Sequence, residues 1–192
     1  HAANMGPDWR HFDVVCDGKN YCHVDLGVLG HHNALNALAA AGGAWHLGVA
    51  PEAVSRGLAS FHGAGRRMEY KGRFNGADVY DDYAHHPDEL AATLETVRTM
   101  GYQRLVLAFQ PHTYTRTKAF LDQFAQALSA ADEVVLADIY AARETDTLGI
   151  SSADIAERIF AAKAEQAGRE LFITITSVYP SRKSAPIAIK SP

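Results

Sequence analysis

The chain has 192 residues, with Lys+Arg 18 against Asp+Glu 22 and a formal net charge of −4, a balance that argues against non-specific nucleic-acid binding. With 47% hydrophobic and 21% charged residues, it has the composition of a globular chain rather than a disordered tail, long enough for one domain or one and a half. Cys16 and Cys22, the two cysteines, supply neither a disulfide framework nor a four-ligand zinc site, and a reducing cytoplasmic setting is expected. No run of about 18 apolar residues and no basic segment ahead of an apolar one is present, so neither a membrane span nor an export signal is expected. The chain opens at His1 rather than at methionine, and a piece of a larger protein is expected.

Residues 12–16 and 21–24 are short β-prone runs flanking Asp17-Gly18-Lys19-Asn20, the pattern of a hairpin with a glycine-containing turn. After Gly30 the period becomes helical, with Leu35, Leu38 and Ala39 at i, i+3 and i+4, and Gly48 stops the helix near Leu47. Pro51 suits the first turn of a second helix with Val54, Leu58 and Phe61 on one face, before Gly63 and Gly65 break the pattern. A domain boundary is placed there, dividing the chain into 1–64 and 65–192.

Beyond the boundary, strand and helix signals alternate. Val79 leads into a loop, and Pro87 opens a helix with Leu90, Leu94 and Val97 inward, ended by Gly101. Residues 104–109 (RLVLAF) read as a buried strand, 117–128 as a helix with Phe120, Phe124 and Leu128 a turn apart, and 134–139 (VVLADI) as a further strand. Ser152 with Ile155, Ile159 and Phe160 predicts one more helix. This β-α-β-α-β order predicts an α/β fold: a parallel sheet, helices on both faces, and a ligand crevice at the carboxyl ends of the strands. From about residue 166 the text turns irregular, and 179–192 (YPSRKSAPIAIKSP) reads as a poorly ordered basic tail.

Three polar clusters fall on successive loops over that sheet: DDYAHHPDE at 81–89, FQPHTYTRT at 109–117 and DIYAARE at 138–144. A fourth, GHHNALN at 30–36, lies earlier. Each has a structural reading beside a functional one. Asp81 and Asp82 can cap a turn, and His86 before Pro87 can cap the next helix. Arg66 and Arg67 can hold phosphate oxygens in a guanidinium fork or stand as a solvated basic pair. His32, Asn33 and Asn36 start a helix, where amides a turn apart can read the edge of an adenine or simply cap. Imidazole suits Zn, Ni or Fe, which makes His85 and His112 conceivable metal ligands, yet no H-E-x-x-H or H-x-x-x-H spacing accompanies them, so no metal is assigned.

The motifs GHHNALNALAA, F-x-G-x-x-RR (61–67), DDYAHHP, FQPHTYTRT and DIYAARE, in this order and spacing, resemble the Mur ligases, most closely the member that joins L-alanine to UDP-N-acetylmuramate. The resemblance covers roughly residues 12–162. It implies a Rossmann-like C-terminal Mur ligase domain preceded by the end of a central ATP-binding domain. It implies ATP-dependent amide-bond formation in peptidoglycan precursor synthesis, in the cytoplasm and without membrane insertion, with UDP-N-acetylmuramate and L-alanine as substrates. By the same resemblance Asn33, Asn36 and His32 contact the adenine, Arg67 the ATP phosphates and Asp82 the ribose. Tyr83, His85, His112 and Arg116 face the amino-acid and acyl-phosphate side, with Arg116 for the alanine carboxylate and His85 for the amine. The family's G-x-x-G-K-[ST] run does not occur in the 192 residues, and the family's Mg²⁺ ligands are expected mostly outside them. The N-terminal UDP-binding domain and most of the central domain are therefore expected elsewhere in the same protein, and the isolated chain is expected to be inactive. A non-catalytic nucleotide- or amino-acid-binding module is the second reading, and a histidine-rich metal hydrolase the third.

Overall fold

The computed structural model describes residues 1–164 together with the backbone of 172–176 and 187–190. The chain divides into two units, His1–Gly65 and Arg66–Pro192.

The first unit is a three-stranded antiparallel sheet, β1 (Ala2–Ala3), β2 (His11–Cys16) and β3 (Lys19–Asp25), in the order β1-β2-β3. Cys16 pairs with Lys19, so Asp17 and Gly18 form the two-residue turn, with φ 50 and 73. Asp-Gly suits such a turn because both positions need left-handed backbone. Two helices follow, α1 (His31–His46) and α2 (Pro51–Ala59). Alanines, not the leucines, make the inner face of α1: Ala34, Ala37 and Ala41 are buried while Leu35 is 53% exposed. Small side chains let the helix approach Phe12, Val14, Val24 and Leu26 closely, and that gain in packing outweighs the area that a leucine face would bury. Phe61, expected on the inner face of α2, lies beyond its end and is half exposed.

In the second unit a hairpin comes first, β4 (Glu69–Phe74) and β5 (Ala77–Asp81). β4 is not among the strands expected from the sequence, although Asn75-Gly76, with φ 48 and 82, is a strong two-residue hairpin turn. Then come α3 (Pro87–Thr99), β6 (Arg104–Phe109), α4 (Tyr114–Ala119), α5 (Leu121–Leu128), β7 (Glu133–Ala137) and α6 (Ser152–Ala164). The single helix expected at 117–128 starts earlier and is broken at Phe120, whose φ −117 and ψ 26 lie outside the helical range. Two strands, β8 (Phe172–Thr176) and β9 (Ile187–Lys190), complete a sheet of order β4-β5-β9-β6-β7-β8.

That sheet is mixed, not parallel. β6, β7 and β8 run parallel, while β9 is antiparallel to both β5 and β6. The helices also depart from expectation, since α5 packs against both α3 and α6, placing the three side by side on one face. The order β5, β6, β7, β8 never reverses, and successive right-handed crossovers in one direction leave their helices on the same side. Burial agrees: Leu105, Leu107 and Phe109 of β6 are buried under the helices, while Val106 and Ala108 between them are not. Phe124, Leu128, Leu94, Ile155 and Ile159, all 2% exposed or less, form the helical half of this core, whereas Phe160 is half exposed.

Residues 172–176 (FITIT) and 187–190 (IAIK) form strands where the sequence reads as irregular. β-branched residues favour pleated structure, and that signal stands in both segments. The rest of the expected irregular tail, 165–171, 177–186 and 191–192, lies outside the described residues.

Candidate functional site

The loops leaving β5, β6 and β7 emerge at the same edge of the second unit. Tyr140 donates its backbone N–H to the Pro111 carbonyl at 2.8 Å, and Thr113 donates to the Tyr140 carbonyl at 2.9 Å, tying the loop after β6 to the loop after β7. Across this edge runs a ladder of rings. The Tyr83 ring lies 5.3 Å from that of His85, His85 lies 6.3 Å from His112, and His112 lies 5.5 Å from Tyr140. Arg116, in the first turn of α4, brings Nη1 to 3.4 Å from His112 Nδ1. Tyr83, His85, His112 and Arg116 are thus brought together from two loops and a helix.

Hydrogen-bond partners set the tautomers. A guanidinium only donates, so His112 Nδ1 accepts and its proton sits on Nε2. Burial pushes the His112 pKa down, and the neighbouring Arg116 and His85 push the same way, which keeps the ring neutral. His85 Nδ1 lies 3.0 Å from the Tyr83 carbonyl and 3.4 Å from Glu89 Oε2. Both are acceptors, so the neutral His85 ring carries its proton on Nδ1 and has its lone pair on Nε2. The two imidazoles present opposite faces of the same chemistry: His85 an acceptor, His112 a donor.

The remaining members of the second unit's clusters hold the loops. Asp82 accepts from the Met68 and Ala84 N–H groups at 2.8 Å each, and each oxygen retains a second lone pair. Arg67 pairs with Glu89 at 3.5 Å. Glu89 also accepts from the His85 and His86 N–H groups. Burial pushes the Glu89 carboxyl up, but those amide donors, His85 and Arg67 outweigh it and hold the group below its ordinary range. His86 accepts from the Asp88 N–H and caps α3, which fulfils the structural reading of that residue. Arg66 lies 3.4 Å from the buried Asp81 and 4.6 Å over the Tyr83 ring.

Thr113 carries backbone strain, with φ 70 and ψ 144 at the N-cap of α4, a region that costs a β-branched residue about 1–3 kcal/mol. Two residues that the sequence reading does not single out surround it. Tyr140 stacks on His112, and Glu144 accepts from the N–H groups of Tyr114 at 2.5 Å and Thr115 at 3.1 Å and from the Thr115 hydroxyl. Both stand in the DIYAARE motif, so the motif carries the signal but not which of its residues matter.

His32, Asn33 and Asn36 belong to the first unit. Asn33 Nδ2 donates to the Leu29 carbonyl at 2.7 Å, latching the loop that enters α1 through Gly30 (φ 100). Asn36 is exposed one turn on and His32 is half-buried. Trp9 stacks on His31 with ring centroids 4.2 Å apart, a neighbour to which no motif points. Among the described residues no group of three or more His, Cys, Asp or Glu is placed to hold a metal, and no helix is long and apolar enough to cross a membrane.

Residues 66–189 match the family model described as "Mur ligase, glutamate ligase domain", a match that runs beyond residue 162. The chain is 53% identical over 148 residues to the UDP-N-acetylmuramate–L-alanine ligase of Lachnospira eligens, covering 77% of this chain and 32% of that protein. Against the ligase of the same name from Agathobacter rectalis it is 55% identical over 144 residues, 75% of this chain and 31% of that protein. The chain therefore spans about a third of the length of the curated relatives it matches. Among solved structures it resembles the UDP-N-acetylmuramate-alanine ligase of Thermotoga maritima, with TM-score 0.63 and 27% identity over 88% of this chain and 40% of that one. The murein peptide ligase of Psychrobacter arcticus aligns with TM-score 0.56 and 25% identity over 92% of this chain and 40% of that one.

Proposed function

Because this chain belongs to the Mur ligase family, we propose that it serves the ATP-dependent joining of L-alanine to UDP-N-acetylmuramate, a cytoplasmic step of peptidoglycan precursor synthesis. In this reading the γ-phosphoryl group of ATP passes to the lactyl carboxylate of UDP-N-acetylmuramate. The L-alanine amine then attacks the acyl phosphate carbon, forming the amide bond and breaking the carbon–oxygen bond to phosphate, so that ADP and phosphate leave. Catalysis of such a transfer is mostly positioning and charge neutralisation.

The second unit carries the amino-acid side. Arg116 grips the alanine carboxylate through its fork. His85, with its Nε2 lone pair, orients the amine and takes a proton from it, while the neutral His112 donates from Nε2 to the oxygens of the acyl phosphate. Tyr83 walls the amine side. On the nucleotide side, the exposed Asn36 amide, with Asn33 and His32, suits an adenine edge, Arg67 suits phosphate oxygens, and the second lone pairs of Asp82 suit ribose hydroxyls. No G-x-x-G-K-[ST] run occurs in the sequence, so residues outside these 192 cradle the triphosphate. Mg²⁺ neutralises phosphate charge in such transfers; the described residues offer it no ligand cluster.

The observation that carries the reading is the approach of Arg116 and His112 to 3.4 Å, with the His85 ring 6.3 Å from His112. Arg116→Lys, in a ligase carrying this sequence, keeps the charge and loses the fork. The expected result is a ten- to hundredfold loss in kcat/KM for L-alanine with KM for ATP nearly unmoved, about 1.5–3 kcal/mol for a hydrogen bond to a charged group. Equal losses for both substrates move Arg116 to the acyl phosphate, and unchanged kinetics remove it from the site.

A further inference from the structure

We infer that Glu144 is a positioning residue of this site: its carboxylate, reaching over from the loop after β7, clamps the start of α4 and so fixes where His112 and Arg116 stand. The inference deepens the ligase reading and rests on it for the meaning of the two residues positioned.

Glu144 takes three donors of one turn, the N–H groups of Tyr114 and Thr115 and the Thr115 hydroxyl. Those residues immediately follow Thr113, which stands at φ 70 and ψ 144 and accepts the Arg116 N–H on its own hydroxyl at 3.4 Å. A β-branched residue leaves that backbone region unless its surroundings impose it. Two anchors do so here, the Tyr140 carbonyl on the Thr113 N–H and Glu144 on the two amides beyond. Immediately before Thr113 stands His112, and one turn later stands Arg116. The strained residue is therefore the pivot between the two groups, and Glu144 locks it from a neighbouring loop.

The arrangement explains why an acidic residue closes the DIYAARE motif. Glu144 lies near enough to favour the charged form of His112, against the opposing effects of burial, Arg116 and His85. Its own carboxyl is held below the ordinary range, first by the Thr115 hydroxyl bond, which together with the two amide donors outweighs the opposing effect of burial. The groups facing His112 are thus Arg116 on α4, His85 on the loop after β5, and Tyr140 and Glu144 on the loop after β7. Among the described residues, Glu144 is the acidic one.

The test is an NMR titration of the His112 imidazole in the 192-residue chain, with the Arg116 side-chain N–H resonance followed in the same spectra. In Glu144→Gln, isosteric but neutral, the His112 midpoint is expected to fall below that of the unmodified chain and the Arg116 signal to move. In Glu144→Asp, which keeps the charge, His112 is expected to titrate above its value in Glu144→Gln. An unmoved His112 midpoint in Glu144→Gln, whatever happens to the melting temperature, overturns the inference, because a purely structural cap changes stability without changing that titration. Should Glu144→Gln fail to fold, Glu144→Asp decides: an unmoved Arg116 signal despite the shortened side chain overturns the clamp, and a displaced one supports it. The titration needs no substrate, so failure of the ligase reading leaves its outcome unchanged, just as an unmoved His112 leaves the Arg116→Lys result standing.

Discussion

Asp82 is where a structural role and the proposed ribose contact meet, and replacing it separates them. Its two oxygens each accept a backbone N–H at 2.8 Å, from Met68 on one side and Ala84 on the other, joining the approach to β4 with the loop that carries Tyr83 and His85. Asparagine retains one acceptor and turns an amide NH₂ toward the other N–H, so one bond is lost. A hydrogen bond to a charged group contributes about 1.5–3 kcal/mol, and the half-buried setting favours the lower half of that range. A unit of this size loses roughly 4 °C of melting temperature per kcal/mol, so Asp82→Asn is expected to lower the melting transition by about 6–9 °C. Urea denaturation should show a lower midpoint with an unchanged slope. Asp82→Ala, losing both bonds, should fall further. If Asp82→Asn stays within about 0.5 kcal/mol of the unmodified chain, the usual range of an uninvolved surface site, the loop-holding role is refuted and only the proposed ribose contact remains.

Three further substitutions test the first unit. A Cβ on Gly27 would lie 2.4 Å from the Phe61 carbonyl oxygen, whereas one on Gly42, inside α1, meets nothing within 4 Å; Gly27→Ala should therefore cost about 1–3 kcal/mol and Gly42→Ala should be neutral or stabilise by up to about 1 kcal/mol, both read by chemical denaturation. His23 Nδ1 lies 2.7 Å from Asp13 Oδ1, a bond that is the largest cause raising the His23 pKa above its ordinary 6.5. A raised pKa contributes stability fully present below 6.5 and lost as pH rises through the folded value, so stability should decline as pH rises above 6.5, and Asp13→Asn should flatten that decline; a slope unchanged by the substitution would count against the pair.

The fold was most legible where local chemistry and tertiary packing agree. Pro87, Leu90, Leu94, Val97 and Gly101 mark the start, inner face and end of α3 because capping, period and stop coincide there. In α1 they diverge, since period alone favours Leu35 while close packing on the sheet selects alanine. The side of the sheet on which helices lie was not legible at all. It depends on strand order, and strand order depends on β9 entering between β5 and β6 from more than 75 residues further along the chain. No local period encodes that insertion.

At the site, residue types point to chemistry, but which atom serves it follows only from neighbours. The sequence places His85 and His112 after successive strands, and nothing in either motif distinguishes an imidazole that accepts from one that donates. The Tyr83 carbonyl and the Arg116 guanidinium make that distinction, one two residues away and the other one helical turn away. Asp82, Glu89 and Glu144 show the same division. Each stands in a motif with the look of an acid for catalysis, and each has its oxygens engaged by backbone N–H groups of the loops that carry the histidines and Arg116. Carboxylates held this way cannot shift without moving the loop, which is why the acids stiffen the cluster while, in the proposed reading, the two imidazoles and the guanidinium face the substrate.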